Sequence, residues 1–245
     1  MSLGGDLTDL ALALFDAHVF RHADGEYETP PFVTLGSNGE RGFRLKLHES
    51  SPHAPLSPYF LQLRMPDNAG KKKGNLTAEL VARIGTMMGD FAWEHGLRFD
   101  AVVGLPHAGD PFAKAFPAKH PITGRPFPKL QLHKEEGEQR RIIGPPEGDF
   151  KPGQIVLPID DLATGGHTKL EGIRALEAAP ACLRVTDVLV VIDRQEGGAE
   201  TLRQAGYKLH ALLILVDLLG IYVTYKRIST ALRGNILRYV ERSRK

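Results

Sequence analysis

The sequence predicts an α/β protein, with a central, mainly parallel sheet flanked by helices and a small N-terminal lobe. Three observations carry that expectation. Short aliphatic runs recur at Ala101–Leu105, Gln154–Ile159, Asp187–Ile192 and Leu209–Val216, and strands that are apolar throughout are the kind buried on both faces. Segments with helical spacing separate them, the alternation expected of βα units. Glycine-bearing loops follow the strands, and in such sheets ligands sit beyond the strands' carboxyl ends.

Taken in order, Leu7–Phe20 is apolar, ends in charge and reads as a first helix. Gly25–Pro58 is rich in Gly, Pro, Ser and Asn around the alternating run Phe43-Arg44-Leu45-Lys46-Leu47, which predicts a half-buried strand of the N-terminal lobe. Asp67–Gly74, with its adjacent lysines, reads as a solvated loop. Asn75 is a good cap, and Leu80, Ile84, Met87 and Phe91 follow at helical spacing until His95-Gly96. Met87 and Met88 are read as core residues of that helix. Ala101–Leu105, Lys129–Leu132 and Gln154–Ile159 are the next strands, with a helix at Leu170–Ala179. Asp187–Ile192, a helix at Ala199–Ala205 and Leu209–Val216 complete the sheet, and Arg227–Lys245 reads as an amphipathic helix. This divides the chain into an N-terminal helix and lobe at 1–75 and a core domain at 76–245.

Composition narrows the class. Of 245 residues, 42% are hydrophobic and 24% charged, which suits a globular chain with a buried core. The formal net charge of +2 gives no support to a nucleic-acid partner. The single cysteine, Cys182, excludes an intramolecular disulfide and a multi-cysteine zinc site. It is expected to pack as a small apolar residue in a protein of the reducing cytoplasm. No apolar run reaches the ~20 residues of a membrane helix, and no secretion signal is expected. His18 and His22 read as a solvated helix end, without further metal ligands.

The most informative stretch runs from Ile155 to Thr168. An apolar strand delivers two adjacent carboxylates, Asp160 and Asp161, then Ala163-Thr164-Gly165-Gly166-His167-Thr168, then a helix. Paired acids accept hydrogen bonds from vicinal ribose hydroxyls. Glycines let backbone N–H groups curl around a phosphate, and the helix adds its positive N-terminal end. An acidic turn between strand and helix is the plain alternative, which the ordered run as a whole disfavours. The stretch resembles the phosphoribosyl pyrophosphate motif of the type I phosphoribosyltransferases. That resemblance implies their fold with a hood lobe, Asp160 and Asp161 on the ribose, and residues 163–168 around the 5′-phosphate. It also implies Mg²⁺ bridging pyrophosphate and ribose oxygens, reached only indirectly from Asp160 and Asp161. Pro158 departs from the pattern because it cannot donate to a ladder, and a place near the strand end is expected for it.

Asp193-Arg194-Gln195-Glu196-Gly197-Gly198 follows the next strand. An arginine there can grip a carboxylate in bidentate fashion or lie on the surface as a loop residue. The string is similar to the Asp-Arg-Gln-Glu signature of orotate phosphoribosyltransferases, which implies that Arg194 contacts orotate. Ser57-Pro58-Tyr59-Phe60 resembles the segment that borders the base in that family, and Tyr59 and Phe60 equally read as lobe packing. Leu132-His133-Lys134-Glu135-Glu136-Gly137, continuing to Gly144, resembles the family's mobile catalytic loop. This implies that Lys134, helped by Arg140 and Arg141, stabilises the departing pyrophosphate, across a homodimer interface.

The glycine-bearing loop after the first strand reads His107-Ala108-Gly109 where the family carries Tyr-Lys-Gly, so His107 stands in for an expected cation. The resemblance implies an enzyme that joins orotate to the phosphoribosyl group. An adenine-type transferase and a regulatory binder of phosphoribosyl pyrophosphate are the other readings. Arg194, which has no evident task with adenine, favours orotate.

Overall fold

The computed structural model describes residues 3–36, 39–45, 47–66, 74–135, 142–178 and 180–243. Two compact units emerge, one formed by Met1–Thr77 with Val216–Lys245 and one by Ala78–Leu215.

In the first unit, α1 (Leu3–Asp16) stops before His18, whose backbone enters the left-handed region at φ 53°. Phe20 therefore begins a strand, β1 (Phe20–His22), instead of ending the helix. His22 accordingly lies in a strand beside Tyr27 and not on a solvated helix end, and burial holds its imidazole below the usual range. Short pieces follow, namely β2 (Thr34–Leu35), β3 (Arg41–Gly42), α2 (Leu47–Ser50) and β4 (Tyr59–Leu61). β1 pairs with β4 and β2 with β3, both antiparallel. The strand expected at 43–47 is reduced to a single bridge between Phe43 and Ser57, and Leu47 opens a helical turn. Lys46 and the lysine-rich segment 67–73 lie outside the described residues.

The second unit opens with α3 (Ala78–Glu94), which buries Val81, Ile84, Met87 and Met88 on one face. Both methionines are core residues. There follow β5 (Ala101–Gly104), α4 (Asp110–Ala115), β6 (Lys129–Lys134), β7 (Ile142–Glu147), β8 (Val156–Ala163), α5 (His167–Glu177), β9 (Asp187–Asp193), α6 (Gly198–Gln204) and β10 (Lys208–Ile214). The sheet order is β10-β9-β8-β5-β6-β7. Every neighbour pair is parallel except β6 with β7, which is antiparallel and carries a register shift between Gln131 and His133.

The five strands expected from the sequence are thus present, and β7 is an addition. Its Gly144-Pro145-Pro146 reads as a breaker, yet an edge strand tolerates missing donors. Pro158 does not lie near a strand end as expected, since it is the third residue of a central strand. The N–H of Val156 bonds Arg184 on the β9 side, 2.8 Å away. The nitrogen of Pro158, two residues on, faces the same way. Pairing with β9 begins only at Ile159 opposite Leu189, so the missing donor falls before that ladder.

Cys182 is exposed, contrary to the apolar packing expected of it. Its backbone turns left-handed at φ 46°, and its neighbours Ala181 and Leu183 are the residues that enter the core.

The apolar run after Lys208 splits at Ile214, where β10 gives way to α7 (Leu215–Thr224), followed by α8 (Thr230–Ser243). A continuous apolar run conceals such a change, because strand and buried helix share the signature. Val216–Lys245 groups with the N-terminal unit, whereas the sequence reading assigned it to the core domain. The cause is Tyr222, fully buried with its ring centroid 4.9 Å from Phe15 and 5.0 Å from Phe20. Its hydroxyl donates to the Ala11 carbonyl at 3.1 Å.

Tyr222→Ala should therefore cost about 3–5 kcal/mol in urea unfolding. Tyr222→Phe, which removes one hydrogen bond and keeps the ring, should cost about 1 kcal/mol. Equal losses for the two variants would show that the ring is not the anchor.

Candidate functional site

The connection leaving β5 runs to β6 on one side of the sheet, and the connection leaving β8 runs to β9 on the other. Neighbouring strands whose connections diverge in this way leave a crevice at their carboxyl ends. The loops 105–109 and 164–166 border it.

In the first loop the Pro106–His107 peptide is cis. Gly109 is buried, and a Cβ there would lie 2.0 Å from the carbonyl oxygen of Ile159 in β8. No other residue fits that approach. His107 is exposed, with its ring 3.7 Å from Asp110, and Ala108 is half-buried. Burial raises the Asp110 carboxyl above the usual range, while His107 and Lys114 hold it down and Asp160 adds to the rise.

The acid pair ends in an asymmetric arrangement. Asp160 is buried and accepts from the ammonium of Lys169 at 2.5 Å. Lys169, also buried, donates in addition to the Leu162 carbonyl. The other oxygen of Asp160 takes the N–H of Asp161 at 2.9 Å. Asp161 is half-buried and accepts the N–H of Leu162 at 2.6 Å. Burial first, then the charge of Asp160, push its carboxyl up to about 7 against the opposing pull of Lys169.

Lys169 escaped the sequence reading. The signal was there, since a cation in the first turn of a helix opposes the helix dipole and needs an anion to hold it. Asp160 is that anion.

Ala163 is buried, Thr164 and Gly165 are half-buried, and His167 and Thr168 are exposed. Gly166 caps α5 in the left-handed region at φ 85°, with no side chain bonded to the cap, so α5 begins three residues earlier than Leu170. The two glycines differ in what demands them. A Cβ on Gly166 would meet the Gly198 carbonyl at 3.1 Å and Thr201 at 3.2 Å, whereas one on Gly165 would meet only His167, at 3.4 Å. Gly165 is bare on its open side, which leaves room for a ligand's anion to approach the backbone.

The loop after β9 is packed directly on this one. The Arg194 N–H bonds the Ala163 carbonyl at 3.0 Å, and a Cβ on Gly198 would lie 2.3 Å from the Thr164 oxygen. Arg194 is therefore no surface arginine: its side chain is 11% exposed and pairs with Glu196 at 2.7 Å. Glu196 is a second residue that the sequence reading left without a role.

Lys134 is half-buried at the end of β6. Gln131 lies opposite Gly104, the last residue of β5, so Lys134 stands about 10 Å farther along the strand direction at about 3.3 Å per residue. Residues 136–141, with Arg140 and Arg141, lie outside the described residues.

Tyr59 and Phe60 belong to the other unit. Tyr59 is fully buried, 6.1 Å from the Phe20 ring and 6.4 Å from that of Tyr239, so its ring packs within the lobe. Phe60 is half-buried beside Phe43 at 5.9 Å.

No family model matches the chain. Among curated proteins it is 36% identical over 145 residues to the orotate phosphoribosyltransferase of Sorangium cellulosum, an alignment covering 58% of this chain and 72% of that one. Among solved structures it is similar to the UMP synthase of Leishmania donovani, with a TM-score of 0.63 at 23% identity, over 96% of this chain and 42% of that longer one. It is also similar to the orotate phosphoribosyltransferase of Mycobacterium tuberculosis, with a TM-score of 0.55 at 23% identity, over 87% and 98% of the two chains. The structural likenesses give the type I phosphoribosyltransferase fold. Since the Sorangium protein is spanned over 72% of its length at 36% identity, the chain belongs to the orotate phosphoribosyltransferase family.

Proposed function

We propose that this chain transfers a phosphoribosyl group from phosphoribosyl pyrophosphate to orotate, releasing pyrophosphate and orotidine 5′-phosphate. The observation that carries the reading is the packing of the loops after β8 and β9 on each other, which holds Arg194 at the Ala163 carbonyl. This packing supports reading the loop after β8 as a phosphate cradle and Arg194 as the group that binds the carboxylate.

A bond forms between a ring nitrogen of orotate, whose proton passes to solvent, and the anomeric carbon, and the bond from that carbon to the pyrophosphate oxygen breaks. The oxygen leaves with the electron pair. Positive charge develops on the sugar and negative charge on the leaving group, so catalysis rests on positioning and electrostatics. The 5′-phosphate meets backbone N–H groups of Thr164–Thr168 at the uncapped start of α5, where the helix dipole favours an anion.

Asp161 accepts the ribose hydroxyls. Asp160, engaged by Lys169, is a positioning residue. Arg194 exchanges Glu196 for the carboxylate of orotate, and Tyr59 has no part in the base site. Lys134 and His107 face the developing charge on pyrophosphate.

Among the described residues there is no group of three or more His, Cys, Asp or Glu side chains able to hold a metal, and Lys169 opposes a cation at Asp160. Asp161 would hold Mg²⁺ only indirectly, which suits an ion that keeps much of its hydration. When bound, it neutralises charge on the leaving group.

The reading also carries a homodimer, with the segment after Lys134 serving the neighbour's site, and a cytoplasmic setting, which the exposed thiol of Cys182 supports. Among the described residues no helix is long and apolar enough to cross a membrane.

Three measurements bear on this. Pyrophosphate release should require both orotate and Mg²⁺, and Arg194→Ala should raise the KM for orotate about 10–100-fold; release with adenine alone overturns the base. Asp161→Asn should lower kcat/KM for phosphoribosyl pyrophosphate about 100-fold with little change in stability. Asp160→Asn, which strands a buried ammonium, should instead cost about 3–5 kcal/mol of stability. The reverse pattern would exchange the roles of the two acids. Affinity for phosphoribosyl pyrophosphate should rise as pH climbs through about 7, where Asp161 ionises. A profile that Asp161→Asn leaves unchanged would assign the titration to another group.

A further inference from the structure

A cavity of about 730 Å³ lies within the N-terminal unit, remote in sequence from the loops just described. Its polar wall is basic. Arg41 and Arg44, from β3 and the residues after it, and Arg238 and Arg242, one helical turn apart on α8, all line it. His53 adds a further nitrogen base, and Glu40 is the single carboxylate of the lining. Among the described residues none of the four arginines makes an ion pair. Arg41 donates to the Ala23 carbonyl at 3.0 Å and Arg238 to the Asn235 amide oxygen at 2.6 Å. Those neutral acceptors orient the guanidinium groups and leave their charge uncompensated.

Two plain explanations cover only part of this. A basic last turn suits the C-terminal dipole of α8 and accounts for Arg242. Exposed arginines are also ordinary surface residues that water solvates. Neither explains why Arg41 and Arg44 line the same cavity as the two arginines of α8, where like charges repel. The convergence makes physical sense with an anion between them.

The rest of the lining indicates what kind of anion. Pro55, Leu56 and the Tyr239 ring form an apolar wall beside the arginines. The volume falls in the range of small-molecule sites, about 300–1,000 Å³.

We propose that this cavity binds a nucleotide-sized polyphosphate, its phosphates gripped by Arg41, Arg44, Arg238 and Arg242 and its planar body laid along Tyr239. Its lining comes entirely from the N-terminal unit, so the proposal does not depend on the assignment of the sugar-phosphate loops.

Calorimetric titration of the full chain with ATP as the probe tests it, in the unaltered protein, in Arg238→Ala/Arg242→Ala, in Arg44→Ala and in Asp161→Asn. Saturable binding is expected, weakening with added salt, at least tenfold weaker in the double arginine variant and severalfold weaker in Arg44→Ala. Thermal unfolding establishes that each variant is folded. Asp161→Asn should bind ATP within about twofold of the unaltered protein. Binding that both arginine variants leave unchanged and Asp161→Asn removes would place the probe in the sugar-phosphate loops and overturn the proposal. Absence of saturable binding at millimolar ATP overturns it as well.

Discussion

Lys169 brings a cation to the first turn of α5, where the helix dipole disfavours it, and buries it 2.5 Å from Asp160. Taking two such charges out of water costs several kcal/mol each, and their attraction repays this only when further hydrogen bonds complete the shell. Here they do, since the Leu162 carbonyl and the Asp161 N–H complete it. The pair is thus less a source of stability than a fixed reference point. It engages one of the two acids and leaves the other without an ammonium partner among the described residues, and it ties α5 to the end of β8. The loop 164–166 hangs between those two attachments.

The second fixed element is backbone against backbone. Gly109 lies on the Ile159 carbonyl and Gly198 on that of Thr164, each closer than any side chain permits. These contacts set the loops in register with the sheet without using side chains, so the groups left over, Gly165, Thr168 and His167, remain for a ligand. Arg194 is positioned by the same packing, through its own N–H on Ala163.

Much of the sheet was legible in the sequence because its strands are buried on both faces and are therefore uniformly aliphatic. Ala101–Gly104, Val156–Ile159 and Asp187–Ile192 could hardly read otherwise. The errors fell where that signal is ambiguous. Leu209–Leu219 is apolar apart from His210 and Asp217, and nothing in its periodicity marks the change from β10 to α7. β7 was hidden by its prolines. In the N-terminal unit the strands are two or three residues long, too short for alternation to register. At the candidate site, residue types pointed to the acids, the glycines and Arg194 as the groups to look at, and the fold brings the loops that carry them together. Their division of labour was not legible, because it depends on partners distant in sequence or hidden by burial: Lys169 for Asp160, Glu196 for Arg194, Tyr239 for Tyr59.

The prolines of β7 have an outcome beyond the fold. A sheet's outer border normally presents a row of donors and acceptors to any passing strand. Successive residues face opposite ways, so one of Pro145 and Pro146 removes a donor from this border, and the Glu171 carboxylate occupies another donor of the strand, the N–H of Ile142 at 3.0 Å. An incoming strand from another copy meets an interrupted ladder on this border. The sheet ends at β7 by chemistry as well as by chain length, which protects this face from fibrillar self-association.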